Sequence, residues 1–341
     1  MTNLLERIKN NTTIAAASYL SDSTFFSTDM VSTDVPAVNI ALSGSVDGGL
    51  TSGITTIAGP SKHFKTAFGL LMMKAYLDNK PNAIALFYDS EFGTPQKYFE
   101  TFNIDTNRVL HTPVTDIEEL KIDLVNQLKE ISVDDDVFIF IDSIGNLASY
   151  KEVNDAGDGK TVADMTRAKS LKSLFRIVTP HLKMKNLPMV VINHVYDSQD
   201  FIPHAVVSGG KGAYYSSDTI WIVGRRQQKT GSEITGYDFV INVEKSRFVK
   251  EKSKVPISVS FDGGIDRYSG LIEMAKDAGI IIQSGSWYQV VDSETGEISK
   301  KYRAKDLTGS ETWNSILENE KFKDYVRTRY MLVTESIMSE D

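Results

Sequence analysis

A glycine-led turn between an apolar strand and an apolar helix constrains the fold of this chain more than any other segment. Residues 59–66 are G-P-S-K-H-F-K-T. They keep the first glycine, the lysine and the threonine of the phosphate-loop pattern G-x-x-x-x-G-K-[ST], with Phe64 at the second glycine. A β-branched run at 54–58 precedes the turn, and a helical apolar pattern follows at 66–79. Such a turn points backbone N–H groups and the positive end of a helix dipole at one spot, which suits phosphate.

Two side chains of this loop have predicted roles of their own. Lys65 reaches the outer phosphates as a point charge, and the Thr66 hydroxyl is placed to bind magnesium, so ATP and Mg²⁺ are the predicted cofactors. A surface turn that merely starts a helix is the alternative, and the flanking strand and helix patterns argue against it. The loop residues predicted to bind nucleotide are Gly59, Pro60, Ser61, Lys62, His63, Phe64, Lys65, Thr66 and Ala67.

Two more apolar runs end in acids. The run V-F-I-F-I ends at Asp142, and L-F-Y leads into Asp89 and Glu91. Parallel strands bring such ends to one sheet edge, so Asp142 is expected beside the phosphate loop and Glu91 is free to orient a water against the γ-phosphate. The alternatives are that Asp142 caps a helix and that Asp89 and Glu91 cap the next one. Asp89 is also a candidate for the magnesium shell.

Apolar runs alternate with helical periodicity from about residue 33 to 262, which predicts an α/β fold with a largely parallel sheet. Residues 1–32 form a short N-terminal segment, 33–266 the core, and 267–341 a small α+β C-terminal domain. The N-terminal segment carries Phe25 and Phe26 and is too small to bury its own apolar residues, so it is expected to pack on a neighbour. The predicted strands are 54–58, 83–88, 137–142, 189–193, 219–223, 239–243 and 255–261, and the predicted helices are 66–79, 95–102, 116–131, 161–185, 269–278 and 312–333.

Composition excludes several classes of protein. The chain has no cysteine, which rules out disulfides and thiolate metal sites and fits a reducing cytoplasm. No apolar run approaches the roughly 18 residues of a membrane span, and the start M-T-N-L-L-E-R-I-K is not a secretory signal. The net charge of −8 argues against a protein that coats nucleic acid with its whole surface, although a local basic stripe still attracts phosphates.

One predicted helix carries such a stripe. Residues 164–185 contain six basic residues and one acid, and Lys169, Lys172 and Arg176 share a face at spacings of i, i+3 and i+7. A solvated helix face usually mixes both signs, so we predict contact with DNA, while a simple basic surface remains the alternative. Arg167 belongs to the same predicted DNA-binding set.

A series of motifs runs in register over nearly the whole chain and resembles the RecA-type recombinase family, most closely its branch from T-even-type phages. That branch also has phenylalanine at the second loop glycine. The resemblance implies a RecA-like P-loop ATPase core, a short N-terminal oligomerisation segment and a small C-terminal domain. The motifs are NIALSG at 39–44, GPSKHFKT at 59–66, FYDSEFG at 87–93, FIDSIGNLAS at 140–149, DMTRAK at 164–169, SLFRIVTP at 173–180, INH at 192–194, VEKSR at 243–247 and FDGGIDRYSGL at 261–271.

The resemblance implies roles residue by residue. Glu91 matches the glutamate that activates the attacking water, and Asp142 matches the aspartate that holds magnesium through water. Tyr98 takes the place of the ring that stacks on adenine. His194 takes the position of the γ-phosphate sensor, which is glutamine in cellular recombinases, although a strand-end histidine that senses nothing remains the alternative.

Other positions imply contacts between molecules. Lys245 and Arg247 match two cations that reach the ATP of a neighbouring subunit, with an exposed strand end as the alternative. The segments 151–161 and 195–212 match two flexible DNA-binding loops along a filament axis, and aromatic rings there stack on bases. The loop residues predicted to contact DNA are Tyr196, Phe201, Gly209, Gly210 and Lys211.

The function implied is an ATP-dependent DNA recombinase, hence a DNA-dependent ATPase, that forms a helical filament on single-stranded DNA and pairs it with homologous duplex DNA. A phage single-strand-binding protein and a recombination mediator are expected partners, and no membrane is expected as a partner. The expected location is the cytoplasm of the infected bacterium. Two alternatives are a DNA-binding accessory subunit with a weakened ATP site, supported by Phe64, and a ring helicase or motor on the same core.

Overall fold

The computed structural model describes residues 4–23, 29–158, 166–201, 203–291, 295–303, 306–307 and 309–332. Its strands are β1 Gly53–Ala58, β2 Ile84–Asp89, β3 Val109–Pro113, β4 Val137–Asp142, β5 Pro188–Asn193, β6 Val195–Asp197, β7 Ala205–Val207, β8 Thr219–Thr230, β9 Glu233–Lys245, β10 Lys254–Ser260, β11 Gly264–Ile265, β12 Ile281–Ser284 and β13 Trp287–Val290. Its helices are α1 Leu4–Asn11, α2 Pro36–Ser43, α3 Lys65–Asn79, α4 Gln96–Thr101, α5 Ile117–Glu130, α6 Tyr150–Gly157, α7 Thr166–Met184, α8 Gly210–Ser216, α9 Leu271–Asp277, α10 Ser310–Glu318 and α11 Glu320–Tyr330, with short 3₁₀ turns at Leu20–Asp22 and Thr106–Arg108.

The central sheet has nine strands in the order β11-β10-β9-β8-β1-β5-β4-β2-β3. The strands from β8 to β3 in this order are parallel, and β9, β10 and β11 extend the sheet in antiparallel fashion. Every residue of β1, β4 and β5 is buried, which is why these strands appear in the sequence as continuous apolar runs. The predicted α/β fold with a largely parallel sheet is confirmed.

Helices cover both faces of the parallel part. Apolar residues of α2 and α3 pack on one face, and those of α5 and α7 pack on the other. The α5 helix starts where the Asp116 side chain accepts the backbone N–H of Glu119 at 2.8 Å. The apolar cluster that contains α2 and α3 extends through Trp313 and Phe322 into the C-terminal region, so the α/β core and the C-terminal region have one core in common. The boundary at 266/267 stays a prediction.

Two strands of the sheet, β3 and the two-residue β11, were not predicted, and two helices were predicted as one. The edge strand β3 is short and half exposed and ends in Pro113, so it lacks the apolar run that marked its neighbours. The predicted helix at 312–333 is α10 and α11, separated by Asn319, whose side chain caps α11 by accepting the N–H of Phe322. Among the described residues, no helix combines the length and apolar composition needed to span a membrane.

The N-terminal segment contains helix α1. Leu4, Leu5 and Ile8 lie on α1, and each remains more than half exposed in this single chain. The expected packing partner is therefore still a prediction. Phe25, Phe26 and the C-terminal residues 333–341 lie outside the described residues.

The two segments predicted as DNA-binding loops contain short regular elements. Most of 151–161 is helix α6, which starts where Ser149 Oγ accepts the N–H of Glu152 at 3.1 Å, and 159–161 lie outside the described residues. The segment 195–212 contains the hairpin of β6 and β7 and the start of α8. The elements are too short to show a hydrophobic period, because each has at most eight residues.

Candidate functional site

The phosphate loop accommodates its unusual phenylalanine by backbone geometry. Phe64 has φ +61°, in the left-handed region that normally favours glycine, and so it enters α3 as the missing glycine would. Its ring stacks on Phe239 of β9, with centroids 4.9 Å apart and an 18° tilt, and meets Phe68 edge-on. Arg225 on β8 holds the loop from outside, because its Nη1 donates to the Lys62 carbonyl at 3.0 Å. Sequence reasoning missed Arg225, which carries no motif.

Lys65 is buried at the base of this loop. It is 7% exposed, and its Nζ donates to the Pro60 carbonyl at 2.8 Å. Burial lowers the pKa of the Lys65 ammonium, while the nearby carboxylates of Glu91 and Asp142 oppose that shift. A bound phosphate would supply the negative charge that an ammonium in this position needs.

Thr66 and Asp142 form the candidate magnesium site. Thr66 Oγ1 donates to Asp142 Oδ2 at 2.6 Å, and the buried Oδ1 has no hydrogen-bond partner within the described chain. Burial, followed by the charges of Glu91 and Asp89, raises the pKa of Asp142 to about 6. A divalent cation would bind the unpaired Asp142 Oδ1 and neutralise part of the negative charge of the neighbouring carboxylates. The described residues contain no cluster of three or more metal-binding side chains.

The carboxylate of Glu91 is held by two donors. Ser143 Oγ donates to Oε1 at 2.6 Å, and His194 Nε2 lies 3.2 Å from the same oxygen. These contacts, led by the hydrogen bond from His194, lower the pKa of Glu91 to about 2 although burial opposes them. Ser143 was not singled out from the sequence, although it directly follows Asp142 in the same motif.

His194 links this carboxylate to the segment that follows. A Cβ at Gly145 would lie 2.1 Å from the His194 ring, so only glycine leaves room for the imidazole there. The His194 carbonyl accepts the N–H of Ser208 at 3.0 Å, which closes the base of the β6–β7 hairpin. One residue therefore contacts Glu91 with its side chain and the predicted DNA segment with its backbone.

These side chains surround one cavity of about 300 Å³. Tyr98 and Phe64 also line a neighbouring cavity of about 560 Å³. The two cavities together offer room for phosphates and a base. Of the predicted nucleotide-binding residues, Gly59 and Pro60 are not part of the lining of the smaller cavity. The lining residues are Ser61, Lys62, His63, Phe64, Lys65, Thr66, Ala67, Glu91, Gly93, Thr94, Tyr98, Asp142, Ile192 and His194.

The basic helix α7 divides into exposed and internal residues. Lys169, Lys172 and Arg176 are exposed, as predicted for one face. Arg167 is placed differently, because its guanidinium donates to the carbonyls of Ile144, Gly145 and Leu147 at 2.7–3.0 Å. Arg167 therefore positions the turn after β4, and the exposed DNA candidates on α7 are the other three.

The start of α8 lies against this exposed face. Gly209 and Gly210 both have positive φ, +90° and +76°, and lead into α8 with Lys211 exposed. A Cβ at Gly212 would come within 2.6 Å of Lys172, so the two helices touch there. The aromatic candidates lie on the adjoining hairpin segment, where Tyr196 is 56% exposed and Phe201 fully exposed.

Lys245 and Arg247 lie near the N-terminal ends of β1 and β8, whereas the phosphate loop follows the C-terminal end of β1. Lys245 Nζ donates to the carbonyls of Tyr214, Tyr215 and Ser217, at 2.7–3.1 Å, and so caps the end of α8. Arg247 pairs with Asp218, which also accepts the N–H of Ile54 at the start of β1. The phosphate loop follows the end of β1, so neither cation is beside the cavity of its own chain.

Comparison with known proteins gives a consistent family. A model of the RecA N-terminal domain matches residues 1–266, and a model of the C-terminal domain of the bacteriophage T4 recombination and repair protein matches residues 268–326. The chain is 48% identical over 339 residues to the "Recombination and repair protein" of Enterobacteria phage T4, covering 97% of this chain and 87% of that protein. It is 25% identical over 297 residues to "Protein RecA" of Bacteroides thetaiotaomicron, covering 86% and 87%.

A solved structure supports the fold. The RadB recombinase superposes with a TM-score of 0.51 at 19% identity, over 69% of this chain and 98% of that one. At this identity the likeness concerns the fold alone.

Proposed function

This chain belongs to the RecA recombinase family, and on that basis we propose that it is an ATP-dependent recombinase that polymerises on single-stranded DNA and pairs it with a homologous duplex in phage recombination, repair and recombination-dependent replication. The observation that carries the proposal is convergence. Lys65, Thr66, Glu91, Asp142 and His194 come from four separate segments of the chain and surround one cavity. An ATPase needs a phosphate cation, a metal site, a base and a sensor in such an arrangement.

In the proposed reaction Glu91 takes a proton from water as the water oxygen bonds to the γ-phosphorus. The bond from that phosphorus to the β–γ bridging oxygen breaks, and ADP leaves. Lys65 neutralises charge on the outer phosphates. Thr66 and, through water, Asp142 would hold Mg²⁺, which would supply positive charge to the phosphates.

Glu91 is a weak base in the nucleotide-free state, since donors hold its pKa at about 2. If His194 turns to a γ-phosphate oxygen, Glu91 loses one of its two donors and its pKa rises, which makes it a better base. The same movement pulls on the His194 carbonyl, which is tied to Ser208 at the base of the hairpin. ATP and DNA are thereby coupled through one residue.

We assign Lys245 and Arg247 to the ATP of the next subunit in a filament. Their place at the far edge of the sheet supports this, because a head-to-tail neighbour can bring its phosphate loop to that edge. Exposed Lys169, Lys172 and Arg176, with Lys211 and the rings of Tyr196 and Phe201, then form the DNA surface. A single-strand-binding protein and a mediator of the phage are the expected partners, in the cytoplasm of the infected host.

The central test compares two substitutions in the same cavity. Lys65→Ala should leave the melting temperature unchanged within experimental error and abolish filaments on single-stranded DNA with ATP. Glu91→Gln should still bind ATP and form filaments, while hydrolysis falls by roughly 10²-fold or more, because an amide is not a base. Negative-stain images and DNA-stimulated ATP turnover measure both. Normal filaments of Lys65→Ala would overturn the site assignment, and rings in place of filaments would favour a helicase.

The coupling role of His194 has its own test. His194→Gln should preserve the gain in DNA affinity that a non-hydrolysable ATP analogue gives over ADP, because an amide can also donate to a phosphate oxygen. His194→Ala should bind nucleotide and DNA separately and lose that gain. A wild-type affinity ratio in His194→Ala would place the coupling elsewhere.

A further inference from the structure

His111 lies outside the nucleotide cavity but contacts a group that shapes it. It belongs to β3, the outermost strand, and its Nε2 is 3.2 Å from Oδ2 of Asp89 at the end of β2. The His111 ring stacks on Phe87, with centroids 5.3 Å apart and a 25° tilt, which fixes its orientation. An ionised carboxylate only accepts hydrogen bonds, so Nε2 carries the proton in this contact.

Asp89 is almost completely buried and holds the turn that carries Glu91. It is 3% exposed, and its Oδ1 accepts the backbone N–H groups of Glu91 at 3.0 Å and Phe92 at 2.8 Å. Phe92 has φ +54°, a conformation that L-residues rarely adopt. The turn therefore depends on Asp89 to stay in place.

The Asp89 carboxylate itself needs support. Asp89 and Asp142 are paired in register at the ends of β2 and β4, and Glu91 follows two residues later. Three acids thus share one sheet edge, and a buried carboxylate there is unfavourable without donors. Within the described chain the side-chain donor to Asp89 is His111.

We propose that His111 is a positioning residue for ATP hydrolysis: it holds Asp89, and Asp89 holds the turn that presents Glu91 to the attacking water. This deepens the proposed function and rests on Glu91 being the water-activating residue. His111 does not line the nucleotide cavity, so it is expected to act on the geometry of the base and not on ATP affinity.

The test separates the donor from the ring. His111→Phe keeps an aromatic ring on Phe87 but removes the donor, and it should lower kcat of the full-length protein with Mg–ATP and single-stranded DNA roughly tenfold to a hundredfold, because small displacements of a catalytic group have effects of this size. The KM for ATP should change less than about twofold and the melting temperature little. His111→Gln can donate from its amide and should recover most of the activity. If phenylalanine is not accepted in the fold, His111→Leu removes the same donor.

A matched control and a double variant sharpen the result. Leu110→Phe adds a ring at an exposed neighbour on the same strand and should leave kcat unchanged. In an Asp89→Asn background, His111→Phe should have little further effect, because the two residues act as one unit. Wild-type kcat in His111→Phe, or equal losses in the glutamine and phenylalanine variants, would overturn the inference. Failure of the proposed function is distinguishable, since in that case Glu91→Gln itself would hydrolyse ATP normally.

Discussion

At the residue scale, Phe64 shows where sequence reasoning reaches its limit. The motif identified the loop and its helix correctly, yet the substituted glycine suggested a weakened site. The structure explains the exception through the left-handed backbone of Phe64 and its stack on Phe239. That pairing joins residues far apart in sequence, so no local pattern could have predicted it. Phe64 therefore gives no independent support to an accessory subunit with a decayed site.

A pair of substitutions at Phe64 should reverse the usual helix preference. Phe64→Gly and Phe64→Ala both lose the stacking, but alanine keeps a Cβ at φ +61°. The alanine variant should be less stable by about 1 kcal/mol, although alanine is the better residue inside helices. Urea unfolding of both variants measures the difference. Greater stability of the alanine variant would show that the loop leaves the left-handed conformation.

Asp142 should make stability depend on pH. Its folded pKa is raised from 3.8 to about 6, so between these values the folded protein binds a proton that the unfolded chain has released. The stability of the nucleotide- and metal-free protein therefore falls as the pH rises through that interval, by about 3 kcal/mol from this group. Asp142→Asn has no proton to lose and should be more stable than the wild type at about pH 8 and similar near pH 4.

Thermal unfolding across pH measures this effect. The exposed Asp134→Asn serves as a control that should follow the wild-type profile. Equal profiles for Asp142→Asn and the wild type would mean that Asp142 is ionised without cost in the free protein.

At the element scale, continuous apolar runs predicted the buried strands well, and elements without such runs were missed. The β1, β4 and β5 strands are covered on both faces, whereas β3 is an edge strand with mixed exposure. The short elements within the two predicted loops were missed for a related reason. Short helices and hairpins are stabilised by caps and tertiary contacts more than by a periodic sequence pattern. The basic face of α7 was predictable from spacing, but the internal use of Arg167 was not.

The exposed face of α7 should govern the salt dependence of DNA binding. Replacing Lys169, Lys172 and Arg176 by glutamine should reduce the slope of log affinity against log salt by about 0.7 for each phosphate of single-stranded DNA that the variant no longer neutralises. Lys185→Gln, in the turn just beyond the end of α7, is the control, because its Nζ is occupied by the carbonyls of Leu128 and Ile131. It should lower stability and leave the slope unchanged. An unaltered slope in the triple variant would place the DNA elsewhere.

At the scale of the whole molecule, the sheet separates the phosphate loop from Lys245 and Arg247, the two cations proposed to act on a neighbour's ATP. The phosphate loop follows the C-terminal end of β1. Because β9 runs antiparallel to β8 and β1, it ends with Lys245 near the N-terminal ends of those two strands. The direction of β9 thus keeps Lys245 and Arg247 away from the phosphate loop of their own chain, as the proposed contact with a neighbour's ATP requires. The motif VEKSR identified these residues, but only the topology shows why they lie so far from their own loop.

Mixing two inactive variants tests this arrangement. Glu91→Gln keeps the cations and lacks the base, while Lys245→Ala/Arg247→Ala keeps the base and lacks the cations. Each alone should show little DNA-stimulated hydrolysis, and an equal mixture should recover roughly a quarter of the wild-type rate, because one interface in four combines the intact halves. A mixture as inactive as its components would indicate that the cations act within their own chain.

The return of β9 to the far edge has a further consequence for any finite assembly. If Lys245 and Arg247 act on a neighbour's ATP as proposed, a row of subunits is directional and its two ends differ chemically. One terminal subunit then offers cations to no nucleotide, and the other holds a nucleotide that no cation reaches. A row of n members therefore has n − 1 complete reaction centres. ATP hydrolysis then takes place only at contacts between subunits, so a short row has a lower rate per subunit than a long one. The nucleotide at the tip without a neighbouring cation pair is hydrolysed most slowly. Growth and shortening are thus expected to proceed at unequal rates at the two tips.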